Sequence, residues 1–124
     1  MNLAAPDVQR MVIDYLTEAF FPEIPVSDRM LDVQRFIRVV CTGGPGRRQR
    51  VLFTAQLTID AYDGTPAMAG DLSREIDGLI YALPTSTVPV TSVLQGFSPG
   101  ESRDPLRKEQ GRYTATYQLT VKCS

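Results

Sequence analysis

The chain has 124 residues with no histidine and no tryptophan, and its 13 basic and 14 acidic side chains leave a net charge of −1. This length is typical of one domain with its own hydrophobic core, so we expect residues 1–124 to form a single domain. The balanced charge argues against a strongly basic nucleic-acid-binding protein. Without histidine, the chain lacks the side chain most used for acid–base catalysis near neutral pH, so we expect no enzyme and no cofactor or metal.

Apolar residues at helical spacing predict a first helix over residues 6–20. Pro6 and Asp7 suit its first turn, and Pro22 ends it. A short edge strand is predicted around Val26 to Met30, where a proline and scattered charges argue against a central strand. No apolar run approaches the roughly 20 residues of a membrane span. We therefore expect a soluble chain that is assembled in the cytoplasm and does not enter a membrane.

The next two segments predict a hairpin. Arg35–Cys41 is rich in β-branched and aromatic residues and ends at the glycine–proline cluster Gly43–Gly46, which is typical of a turn. In Val51–Tyr62, apolar and polar residues alternate, which indicates a half-buried strand. The tip of this hairpin carries three arginines, Arg47, Arg48 and Arg50.

A second helix is predicted to begin at Thr65, a suitable N-cap residue, with Pro66 in its first turn. Its apolar stripe runs from Met68 to Leu83 at spacings of three and four residues. Gly70 and Gly78 are poor helix formers, and we expect them to permit close packing on a sheet.

The last third of the chain predicts two more strands. Val88–Phe97 is the first, and residues 112–123 alternate so regularly that they indicate a half-buried strand. The segment between them, Ser98–Gln110, is charged and rich in proline and glycine, so we expect it to stay outside the core. Alternating strands indicate a mostly antiparallel sheet of four to five strands with two helices packed on one face, an α+β fold.

The other face of this sheet is predicted to be polar and nearly uncharged. Its residues are Thr54, Gln56, Thr58, Thr114, Thr116, Gln118 and Thr120. Threonine and glutamine can hydrogen-bond a partner without the desolvation of a charge. An ordinary exposed face, with threonine present for its strand propensity, explains the same pattern.

The two cysteines, Cys41 and Cys123, each close an apolar strand and lack the spacing of a zinc or redox motif. We expect two buried structural thiols, although a bridge between them is feasible if their strands are neighbours.

Charge is unevenly distributed along the chain. Residues 1–32 carry a net −4, residues 33–59 a net +5 without any acid, and residues 60–77 a net −4. The hairpin arginines are therefore candidates to contact acidic surfaces on neighbouring copies, or phosphates; a solvated loop tip is the alternative. The candidate acidic contacts are Asp71, Glu75, Asp77, Asp14 and Glu18. In the polar segment, the candidate contacts are Arg103, Arg107 and Lys108.

Three phrases of the sequence carry a family resemblance. They are Arg35–Val40 running into Gly43-Gly44, Leu57–Tyr62 leading into an alanine-containing helix, and Arg112–Thr116 opening the last strand. With the order of elements, they resemble the tail terminator proteins of long-tailed bacteriophages, especially those that infect actinobacteria. The resemblance covers nearly the whole chain, and its motifs are structural rather than catalytic.

The resemblance implies an α+β structural protein of the virion, similar to the terminator of phage lambda. Such a protein forms a ring, expected to be a homohexamer, that caps the head-proximal end of the tail tube and stops its polymerisation. It implies three partners: other copies of the chain, the tail tube protein and the head or neck connector (stopper) protein. DNA would pass through the lumen without sequence-specific binding. The chain departs from the lambda protein in length and loop detail.

Two alternatives remain open at this point. The chain could be another neck protein, such as a head completion or stopper protein. It could also be a small non-enzymatic α+β binding domain, which would have a concave apolar pocket with a few polar groups.

Overall fold

A computed structural model describes residues 4–48 and 51–123 of the chain. It contains two α-helices, α1 (Val8–Phe20) and α2 (Pro66–Tyr81), and a 3₁₀ turn at Leu83–Thr85. The predicted start of α2 is confirmed, whereas α1 begins two residues later than predicted, with Asp7 as its N-cap rather than in its first turn. The Asp7 side chain accepts a hydrogen bond from the backbone N–H of Arg10 at 3.0 Å, and Thr65 caps α2 in the same way, with Pro66 in the first turn.

Seven strands form one mixed, mostly antiparallel sheet beside the helices, so the overall α+β class is as predicted. The strands are β1 (Val26–Ser27), β2 (Phe36–Cys41), β3 (Gly46–Arg48), β4 (Leu52–Asp63), β5 (Val90–Gln95), β6 (Gly100–Glu101) and β7 (Gly111–Lys122). Their order across the sheet is β1-β2-β4-β7-β5, with β3 also paired to β4 and β6 also paired to β7.

The predicted count of four to five strands is wrong, because two rows of the sheet are interrupted. β2 and β3 occupy successive stretches of the same edge of β4, and β5 and β6 do the same along β7. The glycine–proline cluster, predicted as the turn, breaks the first row without ending it. The sheet is also not purely antiparallel, since the two-residue β1 runs parallel to β2.

The core lies between the helices and one face of the sheet, here called the inner face. The apolar stripes of both helices and the inward-pointing residues of β2, β4 and β7 belong to a single buried cluster. In β4 the cluster takes every second residue, because successive side chains of a strand point to opposite faces. These residues are Ala55, Leu57, Ile59 and Ala61. The two-layer arrangement predicted from the helical and strand periodicities is therefore present.

The glycines of α2 differ in their packing. Gly70 lies against the ring of Tyr113, where an added Cβ would come within 3.0 Å of the ring, so its role in close packing is confirmed. Gly78 has no neighbour within 4 Å of that position, so the same expectation is wrong there. A Cβ added at Gly111, at the start of β7, would lie 2.5 Å from backbone atoms of Thr65 and Pro66.

These contacts predict opposite effects for one substitution at two glycines. Gly78→Ala should raise the free energy of unfolding by up to about 1 kcal/mol, because alanine is the better helix former and nothing obstructs its methyl group. Gly111→Ala should lower it by about 1–3 kcal/mol, since backbone atoms must move to admit the methyl group. Urea denaturation of the two variants beside the unmodified chain measures both effects. A change of the same sign in both would contradict the packing described here.

Candidate functional site

The arginine hairpin (residues 46–51) lies at one end of the sheet, because β3 pairs with the first residues of β4. Arg47 is exposed, and Arg48 is the last residue of β3. Arg50, the third predicted contact residue of the hairpin, lies outside the described residues. The hairpin therefore places the exposed Arg47 and the backbone of Arg48 beside the first residues of β4.

The approach to this hairpin depends on a glycine. Gly44 adopts a φ of +115°, a left-handed conformation that favours glycine, and an added Cβ would come within 2.6 Å of the Gln56 backbone nitrogen. On either side of it the backbone stays bonded to β4. Thr42 N–H donates to Gln56 O at 2.8 Å, and Gln56 N–H donates to Gly43 O at 2.7 Å. The backbone therefore stays hydrogen-bonded to β4 up to the start of the arginine hairpin.

The outer face of the sheet, opposite the helices, is the polar face that the sequence predicts. Its threonines and glutamines are half-buried, and the hydroxyl oxygens of Thr54 and Thr120 lie 2.9 Å apart across neighbouring strands. Two large apolar side chains stand at its β5 edge: Leu94 is 64% exposed and Phe97 is 76% exposed. A concavity of about 470 Å³ lies on this face between the arginine hairpin and β5. This half of the outer face is open to a partner.

On the other half of the outer face, polar side chains of three neighbouring strands form a row: Arg38 in β2, Asp60 in β4 and Thr114 in β7. Asp60 is 5% exposed and accepts a hydrogen bond from the Thr114 hydroxyl at 2.6 Å. The Arg38 guanidinium lies 3.7 Å from the other carboxylate oxygen of Asp60. The Nε of Arg38 is buried without a hydrogen-bond partner among the described residues. The row holds the β2, β4 and β7 strands together.

Beside this row, two aromatic rings stack on the outer face. The rings of Phe36 and Tyr62 are nearly parallel, with centroids 4.5 Å apart, and both residues are fully buried. The Arg107 guanidinium covers them, at 5.4 Å from the Phe36 centroid and 5.9 Å from that of Tyr62. Burial raises the pKa of the Tyr62 hydroxyl. The chain therefore has a small second core that the sequence analysis missed.

The segment that covers this second core is residues 98–110, here called the strap. The Arg112 side chain donates to Ser102 O at 2.7 Å, and the Tyr62 hydroxyl donates to an Asp104 carboxylate oxygen at 3.2 Å. The Gln110 side chain donates to two backbone carbonyls of the segment before β2, at 3.0 and 2.7 Å. The prediction that this segment stays outside the core is correct for the main core only, because the strap closes one half of the outer face.

The strap residues predicted as partner contacts divide into two groups. Arg107 is half-buried on the aromatic stack and also donates to the Gln110 side chain at 3.1 Å. Its guanidinium therefore makes contacts within its own chain. Arg103 lies 3.7 Å from Glu101 and is exposed, as is Lys108. Leu106 is 92% exposed at the strap's surface.

The acidic candidates of α2 are also not equivalent. Asp71 forms an exposed ion pair with Arg74 at 2.6 Å. Asp77 is half-buried and accepts hydrogen bonds from the Tyr117 hydroxyl at 2.7 Å and from the Gln95 side chain at 3.2 Å. Burial and the Asp77 carboxylate raise the pKa of Tyr117 well above its ordinary value. Asp77 is therefore committed to contacts within its own chain.

The remaining acidic candidates are exposed. Asp14 pairs with Arg10 one turn earlier in α1 at 3.2 Å. Glu18 and Glu75 make no ion pair within 4 Å with any residue that the structure describes. Of the five predicted acids, these two carry the carboxylates most open to a partner.

The arginine hairpin and these two glutamates lie toward opposite ends of the sheet. Glu75 shares a concavity with Phe20 and Arg35, and Arg35 lies 3.0 Å from Asp63, the last residue of β4. The hairpin lies at the first residues of the same strand. A strand of this length extends over roughly 36 Å, so the opposite charges are separated within one molecule.

The two cysteines are not bonded to each other. Cys41 is exposed, so the expectation of a buried thiol is wrong for this residue, and Cys123 is half-buried. Cys41 pairs with Leu57 in the sheet, whereas the Cys123 backbone bonds Val51. The strands therefore place the two thiols at different levels of β4.

Within residues 4–48 and 51–123, no three His, Cys, Asp or Glu side chains are grouped closely enough to hold a metal ion. In the same part of the chain, no helix has both the length and the apolar character needed to cross a membrane.

The sequence matches no known family model and no curated protein.

The strap's main acidic contact predicts a pH effect. The Leu106 N–H bonded to the Asp104 carboxylate lowers the pKa of that carboxyl below its ordinary value of 3.8, and the Tyr62 hydroxyl adds to the effect. A lowered pKa means that the folded state favours the charged carboxylate. This contribution is present above about pH 4 and is lost as the pH falls through the lower, folded-state pKa.

We therefore expect Asp104→Asn to be less stable than the unmodified chain at pH 7, by about 0.5 kcal/mol because the site is solvent-screened. The difference should shrink as the pH falls below about 4 and towards the lowered pKa of the folded state. Urea denaturation of both proteins between pH 2 and pH 7 measures it. A difference that persists unchanged at pH 2 would refute this account of the strap.

Proposed function

We propose that this chain is a structural subunit of a phage virion that assembles into a ring, expected to be a hexamer, at the head-proximal end of the tail tube. There the ring would stop polymerisation of the tube and join it to the neck connector. The observation that carries the proposal is the separation of opposite charges toward the two ends of one sheet. A closed ring needs one patch of each copy to meet a different patch of the next copy.

The arrangement of the described residues supports this heterologous contact. The arginine hairpin cannot neutralise Glu18 or Glu75 of its own chain, because they lie toward the other end of β4. The same groups can pair between two copies placed side by side. Electrostatic complementarity of this kind favours the correct orientation of partners and accelerates their encounter.

The open half of the outer face supports contacts with a second kind of partner, such as the tube protein. Threonine and glutamine side chains there offer donors and acceptors, and Leu94 and Phe97 offer exposed apolar area. On the strap, Leu106, Arg103 and Lys108 offer a further exposed surface. Exposed apolar side chains rimmed by polar groups are typical of surfaces that bind other proteins.

Reversing the charge of the hairpin tests ring formation. For the 13.7 kDa chain, we expect a multiple of this mass by native mass spectrometry in solution or on purified tails. The Arg47→Glu/Arg48→Glu/Arg50→Glu variant should remain a single copy because like charges then meet at each contact. The variant Arg29→Glu/Arg74→Glu/Lys122→Glu makes the same change of net charge at exposed residues outside the hairpin and outside the proposed contact surfaces, and it should still form the ring. Unchanged assembly of the hairpin variant would contradict the proposed contact.

Electron microscopy of particles made without this chain distinguishes a terminator from other neck proteins. Loss of a terminator should give overlong or headless tails, whereas loss of a stopper should leave heads that leak DNA. Normal tails of normal length would overturn the proposal.

A further inference from the structure

The surface between α1 and the segment that leads into β5 forms a groove of about 490 Å³. Its floor is mostly apolar, and its lining includes Met11, Tyr15, Leu79, Val88 and Pro89. Two carboxylates stand on its α1 side, those of Asp14 and Glu18, which are four residues apart and so lie on the same face of the helix. An apolar floor with an acidic rim suits a ligand that is both cationic and apolar.

From this geometry we infer that the groove is the acceptor site for the arginine hairpin of a second copy of the chain. The inference rests on the proposed ring and specifies which acidic surface the hairpin meets. Arginine is suited to such a site because its methylene stem packs on apolar surface while its guanidinium pairs with a carboxylate. The hairpin also carries Val51, which is 47% exposed and supplies an apolar side chain for the floor.

The acids outside the groove are weaker candidates. Asp77 is occupied by hydrogen bonds from Tyr117 and Gln95. Asp71 is paired with Arg74 on its own helix, as Asp14 is with Arg10, but it does not line the apolar groove. Glu75 is exposed and, with Glu23, lines a different concavity whose exposed lining is mostly polar. The α1 groove, in contrast, places Asp14 and Glu18 beside a mostly apolar floor.

The hairpin of the same chain does not reach the far part of this groove. Gln9, near the start of α1, bonds the backbone of Cys41, and α1 runs from there toward Arg35 at the far end of the sheet. Glu18 lies near that far end. From Phe53, beside Arg47, to Ala61, β4 extends over about 26 Å, which exceeds the length of an arginine side chain. A hairpin in contact with Glu18 must come from another copy.

Mixing two complementary variants tests this contact. The first, Arg47→Glu/Arg48→Glu/Arg50→Glu, carries an acidic hairpin and the native groove. The second, Asp14→Arg/Glu18→Arg, carries the native hairpin and a basic groove. Alone, each variant sets like charges against each other at every contact, so we expect at least about tenfold weaker self-association than in the unmodified chain. When they are mixed, every hairpin meets a groove of opposite charge.

The mixture should therefore recover oligomers in which the two variants alternate, so that each holds equal numbers of both. Native mass spectrometry detects this directly, because the variants differ in mass. The matched control is Asp71→Arg/Glu75→Arg, which changes the same charge on α2 and should assemble alone as the unmodified chain does.

The other outcomes overturn different claims. If the α2 control fails alone and is rescued by the acidic hairpin, the acceptor is the surface of α2 and the groove assignment is wrong, although the ring survives. If both groove and hairpin variants assemble normally alone, the hairpin does not dock in the groove. If the unmodified chain forms no oligomer in solution or on purified tails, the proposed function itself is wrong. Circular dichroism of each variant verifies that a lost oligomer is not a lost fold.

Discussion

The pairing of β4 with β7 is the constraint on which the rest of the structure depends. Their antiparallel register runs from Leu52 opposite Lys122 to Asp63 opposite Gly111 without interruption. Because side chains alternate between faces, this register assigns the apolar residues of both strands, apart from Leu52 and Tyr62, to the helices and every threonine and glutamine to the opposite face. A slip of one residue would exchange the two sets. The core, the polar face and the positions of both sheet ends all follow from it.

Much of this architecture could be predicted from local patterns. The start of α2 has a recognisable cap at Thr65, and the alternation in β4 and β7 has the period of a half-buried strand. The division of β2 from β3 could not be predicted, because glycine and proline indicate a turn equally well whether or not the backbone stays bonded to its neighbour. That distinction depends on Gln56, which lies more than ten residues away in the chain.

The second core under the strap was not predicted for a related reason. Phe36 and Tyr62 are out of phase with the inward-pointing residues of their strands, so an alternating pattern assigns them to solvent. The strap itself is rich in charge, and its burial depends on contacts with residues far away in sequence, such as Arg107 with Phe36. Likewise, the sequence makes Asp77 a candidate contact but gives no sign that its carboxylate accepts a hydrogen bond from Tyr117. Sequence identifies the candidate charges, whereas tertiary contacts decide which of them remain accessible.

The strap also makes the molecule chemically unlike at its two ends. Toward the Asp63 end, the outer face is closed by a segment anchored on stacked aromatic rings, and toward the Leu52 end it is open threonine and glutamine beside arginines. Subunits aligned side by side in one orientation would give an assembly with two dissimilar rims. A second protein that recognises one rim would then bind on that side alone. The strap, a single folded segment, would thus make the two sides of the assembly different.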